Sequence, residues 1–409
     1  MLCQFTFENF KSFKNEAFLD FCAEPISEHQ DSLIIDIDSE KFLPVISIYG
    51  PNGGGKSTVL EALAYLRKIV VRPIIATKAN EEISDEEQKL LVRSSDIDKY
   101  HRFDKDCENQ PIKFSVMFRF KENEYQYELW ILKGEIVKEN LYYKKIGTKK
   151  VIIVFERTLE ECVIGEDIEF VSVEKVKKSL PLLSYIGAFY DIDIIDSVIH
   201  WFFSIEFIDY DNPIRDMEIL IPKQDADRKL FFDMLKQMDI NIMDIRIERD
   251  GEGHIKNIFT KHKIAEKIYE IPFQEESSGT RKIFSCLARI NKCLQKGSVL
   301  IADELDAKLH PKLLRFIIEL FTDTEKNKSG AQLLITSHDI VNMVREIFRR
   351  DEIWFCSLSP DNDSCLYSLI SFKDERGKTP RKDAVYGKRY IEGLYGADPY
   401  IDKGLKWGD

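Results

Sequence analysis

The sequence has little of what marks several special classes of protein. Lys and Arg number 59 against 71 Asp and Glu, a net charge of −12, which disfavours coating of nucleic acid through overall charge but still allows a local basic groove. No apolar run approaches the ~20 residues of a membrane-spanning helix. The eight cysteines form no C-x-x-C pair, which argues against a zinc or redox site. No heptad pattern is sustained between residues 68 and 270, which excludes long coiled-coil arms.

What is present describes a soluble globular protein. The chain has 409 residues, of which 44% are hydrophobic and 32% charged, enough to bury a core. At about 150 residues per domain, this length suggests two or three structural units, and one large α/β domain with insertions is the alternative. The opening residues 1–13 lack the basic region, apolar core and cleavage site of a secretory signal. We therefore expect a cytoplasmic protein without membrane partners.

A glycine-rich segment separates a predicted strand at residues 42–49 from a predicted helix. It matches the pattern G-x-x-x-x-G-K-[ST] and consists of Gly50, Pro51, Asn52, Gly53, Gly54, Gly55, Lys56, Ser57 and Thr58. Glycines allow consecutive backbone N–H groups to turn inward around phosphate oxygens, at the positive end of the following helix. A plain glycine turn is the alternative. The flanking elements favour an ATP site in which Lys56 reaches the β- and γ-phosphates and Ser57 ligates Mg²⁺.

A second apolar run, at residues 299–302, ends in two carboxylates, Asp303 and Glu304. A buried parallel strand delivers such acids to the carboxyl edge of its sheet. Asp303 is then a candidate for the Mg²⁺ shell, and Glu304 for the base that accepts a proton from the attacking water. Taken alone, the pattern is equally compatible with an ordinary strand that ends in solvated acids.

His338 follows a third predicted core strand, at residues 332–337. Strand ends converge on the ligand crevice of an α/β sheet, so an imidazole there can contact the γ-phosphate or the attacking water. A lone histidine more often has no such role. The two other motifs in the same chain favour the functional interpretation.

Ser278 and Gly279 lie in a Ser-Ser-Gly segment before a predicted helix, which is marked by the apolar residues Ile283, Leu287, Ile290 and Leu294. Such a segment is first of all an N-cap. Capping and anion binding use the same exposed N–H groups, so the segment is also a candidate phosphate site.

The order of these motifs resembles the ABC-type ATPase heads of the SMC and RecF class. The resemblance implies an α/β P-loop NTPase fold with a mixed sheet, ATP and Mg²⁺ as cofactors, and hydrolysis of ATP. It also implies that Ser278 and Gly279 form the signature motif, that Asp306 belongs to the D-loop and that His338 is the switch histidine. Thr280 stands where the ABC signature has its second glycine. In such heads the signature completes the ATP site of a facing head, so hydrolysis requires a dimer or a higher assembly.

Within this class, the sequence most resembles a compact bacterial subgroup of AAA-type ATPases, the RloA-like and PARIS-type ATPase subunits of phage-defence operons. It is carried by residues 303–311 and by a tail that runs from residues 350–355 to residues 390–399. It implies an effector encoded in the same operon, such as a nuclease, and a role in antiviral defence.

These motifs predict one discontinuous ATPase head. Residues 1–71 are expected to form its N-terminal lobe with the phosphate loop, and residues 270–409 its C-terminal lobe. Residues 72–269 are expected to be an inserted α+β region, with an antiparallel meander at residues 111–173.

Three further features have competing interpretations. Residues 376–389 are a potential site for nucleic acid or an acidic partner, with a solvated loop favoured; the basic residues are Arg376, Lys378, Arg381, Lys382, Lys388 and Arg389. Lys11 and Lys14 are candidates for the phosphate environment, although solvated surface lysines are favoured. Asp361 and Asp363 have the spacing of a nuclease metal pair, but a hairpin turn is strongly favoured.

The leading functional hypothesis is an ATP-hydrolysing switch that pairs with itself and controls an effector. A RecF-like clamp that closes around DNA during repair is the second hypothesis. A scaffold that binds ATP without turnover is the third, and the presence of Glu304 argues against it.

Overall fold

The fold combines two large sheets, a small three-stranded sheet, a two-stranded ribbon and several helices. The computed structural model describes residues 1–77, 99–174, 176–208, 225–251, 255–374, 377–381 and 384–397. The helices in these ranges are α1 Lys56–Thr77, α2 Leu182–Phe189, α3 Asp193–Ser204, α4 Asp225–Gln237, α5 Ser278–Lys296, α6 Pro311–Thr322 and α7 Tyr386–Ile391. The strands are β1 Leu2–Glu8, β2 Ala17–Asp20, β3 Ile34–Ile35, β4 Lys41–Phe42, β5 Val45–Tyr49, β6 Ile112–Phe120, β7 Asn123–Leu132, β8 Glu135–Lys145, β9 Ile152–Thr158, β10 Cys162–Ile164, β11 Glu206–Phe207, β12 Asp244–Arg249, β13 Ile255–Ile264, β14 Lys267–Pro272, β15 Val299–Ala302, β16 Gln332–Thr336, β17 Ile353–Leu358 and β18 Ser364–Ser368.

The central sheet has six strands in the order β11-β15-β16-β5-β17-β18. The first five run parallel and β18 is antiparallel to β17, so the sheet is mixed, as expected. Every residue of β5, β15 and β16 is buried, as in a parallel sheet covered on both faces. These three strands are the apolar runs that the sequence placed before the glycine loop, the carboxylate pair and His338.

Side chains of β5 alternate between two hydrophobic cores, because successive residues of a strand face opposite sides of a sheet. Ile46 and Ile48 enter a core that they share with α1, α2, α3 and the seven-stranded sheet. Val45 and Tyr49 enter a second core, shared with α4, α5, α6 and α7. Helices α1 and α5 therefore lie on opposite faces of the central sheet.

The seven-stranded sheet has the order β10-β9-β8-β7-β6-β1-β2 and is antiparallel. It contains the predicted meander, and it also includes the N-terminal strand β1. The buried amide of Gln332 joins this sheet to the central one: it accepts from the backbone N of Leu2 at 2.6 Å and donates to the carbonyl of Leu2 at 3.0 Å. The boundaries predicted at residues 72 and 269 stay predictions.

The three-stranded sheet β12-β13-β14 precedes α5 in the chain and packs on it. The ring of Phe284 on α5 lies 5.2 Å from Phe231 of α4 and 5.5 Å from Phe273, which follows β14. The sequence pattern at residues 245–250 and 267–273 predicts two strands, with a turn at residues 251–253 after the first. Strands β12 and β14 lie there, and part of the turn lies outside the described residues. Among the helices that the structure describes, none is long and apolar enough to cross a membrane.

Candidate functional site

Three strands of the central sheet end at the same edge. The register pairs Ile48 of β5 with Thr336 of β16, and Ile335 of β16 with Ala302 of β15. The residues that follow these strands are the phosphate loop at residues 50–58, His338 and an acidic turn at residues 303–308. The sheet therefore brings together three motifs that are far apart in the sequence.

The phosphate loop closes tightly over strand β17. Gly50 has φ +151°, and a Cβ at this position would lie 2.2 Å from the carbonyl oxygen of Cys356. At Gly55, with φ +103°, a Cβ would lie 2.5 Å from the hydroxyl of Ser364. Both positions accept only glycine without displacement of their neighbours, which explains why Gly50 and Gly55 are glycines.

Lys56 begins α1 and is only 6% exposed. Its ammonium group donates to the backbone carbonyls of Gly50, at 3.0 Å, and Pro51, at 3.1 Å. Burial lowers the pKa of Lys56 below its ordinary value, whereas the charges of Glu304 and Asp303 oppose that shift. The lysine thus occupies the centre of the loop, next to the acidic turn.

Thr336 fixes the acidic turn from the neighbouring strand. Its hydroxyl donates to Asp303 Oδ1 and accepts the backbone N–H of Glu304 at 2.7 Å. Glu304 has φ +45°, in the left-handed region that non-glycine residues rarely adopt. This backbone geometry leaves the Glu304 side chain 56% exposed at the sheet edge.

His338 lies beside the same turn. Its Nε2 is 3.9 Å from Glu304 Oε1, and its backbone N donates to Asp306 Oδ2 at 3.0 Å. The side chain of His338 is 41% exposed and therefore accessible to a substrate. The predicted base, switch histidine and D-loop aspartate thus form one connected group.

The oxygen donors at this edge fit Mg²⁺ chemically. Mg²⁺ prefers hard oxygen ligands and usually keeps water and phosphate ligands in addition to one or two protein groups. Ser57 offers a hydroxyl in the first turn of α1, and Asp303 offers a carboxylate. In the described part of the chain, no cluster of three or more His, Cys, Asp or Glu residues forms a metal cage. A hydroxyl and a carboxylate oxygen are thus the two protein groups that would hold Mg²⁺ here.

The signature segment, defined here as residues 276–282, lies on the other face of the sheet. Ser277 caps α5: its hydroxyl accepts from the backbone N of Thr280 at 3.0 Å. Ser278 starts the helix and is exposed. A Cβ on Gly279 would lie 3.0 Å from the carbonyl oxygen of Lys308, so the segment packs closely on the acidic turn. The N-cap interpretation is confirmed, and the exposed start of the helix remains available for an anion.

Two contacts of this segment were not anticipated from the sequence. Lys282 Nζ donates to the backbone carbonyls of Glu304, at 2.7 Å, and Ala307, at 2.8 Å. Glu276 Oε1 accepts from the Thr260 hydroxyl at 2.6 Å and lies 2.7 Å from His262 Nε2. The segment is therefore attached to the acidic turn at one end and to strand β13 at the other.

The weaker candidates have structural explanations. Lys11 pairs with Glu61 and Lys14 with Asp104, as surface lysines do. Asp361 and Asp363 lie in the hairpin turn between β17 and β18, where the Asp363 carboxylate accepts from the Ser359 hydroxyl.

Residues 376, 382 and 383 of the basic segment, and residues 398 and 399 of the family-like tail, lie outside the described residues. Within the described part, Lys388 pairs with Glu392.

Sequence comparison places these motifs in a known family. A family model described as "AAA domain, putative AbiEii toxin, Type IV TA system" matches residues 45–161 and 183–343, well over half of the chain. The chain belongs to this AAA family. The matched residues of this AAA protein include the phosphate loop, the signature segment, the acidic turn and His338. None of the curated proteins matches the chain significantly in sequence.

Solved structures of SMC heads are also similar. An SMC head bound to the C-terminal winged-helix domain of ScpA has 12% identity and a TM-score of 0.44, covering 90% of this chain and 97% of that one. The SMC head domain from Thermotoga maritima has 14% identity and a TM-score of 0.43, with coverage of 90% and 98%. An SMC head with an extended coiled coil, bound to the C-terminal domain of ScpA from Pyrococcus furiosus, has 12% identity and a TM-score of 0.41, with coverage of 90% and 96%.

Proposed function

We propose that this AAA protein binds ATP and Mg²⁺ and hydrolyses ATP in sites shared between two copies of the chain. One observation carries the proposal. Lys56, Glu304 and His338 converge on one edge of the central sheet, whereas Ser278 is exposed at the start of α5, on the face of the sheet opposite α1. A facing copy would bring its own Ser278 to the open side of the phosphate loop.

The chemistry follows from the geometry of the edge. Lys56 exchanges its contacts with the loop carbonyls for phosphate oxygens. Ser57 and Asp303 would hold Mg²⁺, which would supply positive charge against the phosphates when bound. Glu304 accepts the proton of the attacking water, and His338, at 3.9 Å from that carboxylate, orients the water or the γ-phosphate. The left-handed backbone of Glu304, held by Thr336 and Lys282, keeps the base aimed at the crevice.

We further propose that ATP-dependent pairing controls an associated effector in antiviral defence. The description of the family, which names a putative toxin of a toxin–antitoxin system, supports a role in a system of two components. Copurification of an operon-encoded protein with the tagged chain would support this role. A salt-sensitive mobility shift of DNA in the presence of ATP, without such a protein, would favour the RecF-like alternative.

The decisive test of the shared site is Ser278→Arg, which obstructs the exposed helix start without touching the phosphate loop. We expect normal ATP affinity in the isolated chain, together with loss of turnover and of ATP-dependent dimers in size-exclusion chromatography. Ser329→Arg, at an exposed turn, is the control. Unchanged turnover in Ser278→Arg would refute the shared site.

A further inference from the structure

A cavity of about 640 Å³ lies between helix α4 and the three-stranded sheet. We call it the α4 cavity: one face of α4 forms one wall, and the residues that lead into β12, together with the end of β13, form the other. None of the residues that line it belongs to the phosphate loop, the acidic turn or the signature segment. Its volume is in the range of about 300–1,000 Å³ that is usual for pockets that bind small molecules.

The lining of the α4 cavity is cationic, although the chain as a whole has a net charge of −12. Four positive side chains face two carboxylates: Arg228, Lys229, Lys236 and Lys263 against Asp233 and Asp244. A cleft lined by a surplus of one sign of charge concentrates ions of the opposite sign. The cavity therefore selects for an anion.

One of the two carboxylates is already neutralised within the wall. Asp244 Oδ1 accepts from Arg228 at 2.5 Å, and Oδ2 accepts from Lys261 at 3.4 Å. Burial alone would raise the pKa of Asp244, but these hydrogen bonds hold it below its ordinary value, so the group stays charged and cancels Arg228. The pair forms a fixed part of the wall.

The three lysines of the lining are the groups left for a ligand. Lys229 and Lys236 are exposed and have no ion-pair partner among the described residues. Lys263 pairs with Glu266 at 3.4 Å, but that carboxylate is 93% exposed, and such surface pairs contribute little. Lysine binds phosphate as a point charge. A phosphate monoester carries nearly two negative charges at neutral pH, which would balance the positive surplus of the lining.

The cavity also offers apolar surface, which an inorganic ion would leave unused. Ile242 and Met243 both line it, and Met243 is 42% exposed. The side-chain amide of Asn241 lies in the same lining and can both donate and accept hydrogen bonds. A nucleoside monophosphate combines a planar base, polar edges and a phosphate, so it matches the three kinds of surface together.

Both walls of the cavity are connected to the signature segment. On the other side of α4, the ring of Phe231 lies 5.2 Å from Phe284 of α5. In β13, Lys263 follows directly after His262, whose Nε2 is 2.7 Å from Glu276 Oε1. A ligand that bridges α4 and β13 would thus fix the two elements that hold the segment.

We propose that the α4 cavity binds a nucleoside monophosphate, with its phosphate at Lys229, Lys236 and Lys263, and that the bound ligand strengthens pairing of two copies. Binding goes beyond the proposed function, whereas the effect on pairing rests on it. A bridged cavity fixes the signature segment before the second copy arrives, so less conformational freedom is lost on pairing. By linkage, pairing must strengthen binding of the ligand by the same factor.

The first measurement titrates Lys56→Ala, in which the phosphate loop lacks its lysine, with AMP, GMP, CMP and UMP in a calorimeter. We expect at least one of them to bind, and adenosine, which lacks the phosphate, not to bind. Adding Lys229→Glu and Lys236→Glu should weaken binding at least about tenfold. Lys326→Glu with Lys328→Glu makes the same charge change at an exposed turn and is the control. Lys229→Gln with Lys236→Gln should give a smaller loss in the same direction.

The second measurement follows dimerisation of ATP-bound Glu304→Gln by sedimentation velocity, with and without the monophosphate that binds. We expect a dimer Kd a few fold lower with the ligand. The increment should disappear when Lys229→Glu and Lys236→Glu are added, and it should persist with the control pair. This comparison separates the cavity from any competition at the phosphate loop.

The outcomes separate this inference from the proposed function. No binding of any of the four monophosphates at about 1 mM, equal binding of adenosine, or equal Kd values for the cavity and control pairs would overturn the site. A single-stranded oligonucleotide that binds where no monophosphate does would overturn it as well. Binding without a change in dimer Kd would overturn the effect on pairing alone. If the chain does not pair at all, the proposed function fails, and the calorimetric titration still decides whether the cavity is a site.

Discussion

The phosphate-loop edge and the signature segment differ in how the chain holds the side chains that the proposed site uses. At the edge, Lys56 donates to two carbonyls of its own loop and Asp303 accepts from Thr336. In the signature segment, Ser278 is exposed and Arg281 keeps a buried Nε without a partner among the described residues. The edge thus holds its lysine and its first acid within a single chain, although the buried Oδ1 of Asp306 has no hydrogen-bond partner among the described residues, whereas the signature segment presents Ser278 at an exposed helix start.

This difference assigns separate tasks to the two regions. Because Lys56 already lies among loop carbonyls in a single chain, we expect that chain to bind nucleotide by exchanging one set of oxygens for another. In the proposed shared site, the exposed segment would gain its partners only when two copies pair, so binding there would be coupled to pairing. Variants at the edge should therefore change chemistry, whereas variants in the signature segment should change assembly and the chemistry that depends on it.

The largest effect is expected for Glu304→Gln, which keeps the shape of the side chain and removes the base. ATP should still bind, because Lys56 and the loop are intact, while kcat should fall by about 10²- to 10⁴-fold. The assembly should accumulate in its ATP-bound, paired form, visible as a stable dimer in size-exclusion chromatography. Glu319→Gln on the surface of α6 is the control. Loss of ATP binding would show that Glu304 supports the site rather than serving as its base.

Lys282→Met should have an intermediate effect, because Lys282 connects the two regions. Methionine keeps much of the length but leaves the carbonyls of Glu304 and Ala307 without their donor, at a cost of about 1–3 kcal/mol of stability. We expect kcat to fall by about tenfold, equivalent to ~1.4 kcal/mol, with an unchanged ATP Kd. Lys296→Met, at the exposed end of the same helix, is the control. A kcat equal to that of the control would mean that Lys282 only stabilises the fold.

The edge was largely predictable from the sequence because its signals are local. A glycine loop after an apolar run, and an apolar run before two acids, are complete within about ten residues each. The register of parallel strands then brings the ends together, as Ile48 and Thr336 illustrate. Buried parallel strands are apolar on both faces, so short apolar runs without alternation were sufficient to predict these strands.

Contacts between elements that are distant in the sequence were not predictable in this way. Thr336 acts on Asp303 from 33 residues away, and that contact exists only once β15 and β16 pair. Lys282 donates to carbonyls of the acidic turn, whereas the Nε of the adjacent Arg281 has no hydrogen-bond partner among the described residues. Which side chain meets the turn depends on the rotation of α5 about its axis. That rotation is fixed by packing of its buried face, including Ile283 and Phe284, rather than by any local pattern. The joining of β1 to β6 depends likewise on pairing over a long sequence separation.

The smallest effect is expected for Glu276→Ala, which frees the signature segment from strand β13 and leaves its contacts with the acidic turn. The carboxylate accepts from the Thr260 hydroxyl at 2.6 Å and lies 2.7 Å from His262 Nε2, so its loss allows Ser278 to move before pairing. We expect ATP-dependent dimerisation to weaken by a few fold, since only part of the ~1.5–3 kcal/mol of a charge-assisted hydrogen bond is lost in assembly.

Glu276→Gln should keep most of the dimer affinity of the unmodified chain, because its amide oxygen can still accept from the Thr260 hydroxyl. Glu275→Ala, at the exposed neighbouring position, is the matched control and should leave dimerisation unchanged. Sedimentation velocity with ATP-bound Glu304→Gln as the background isolates pairing from turnover. Equal dimer affinity for Glu276→Ala and Glu275→Ala would show that the contacts of Glu276 with strand β13 do not affect pairing. The contacts of Lys282 with the acidic turn, together with the helix cap, would then be sufficient to position the segment.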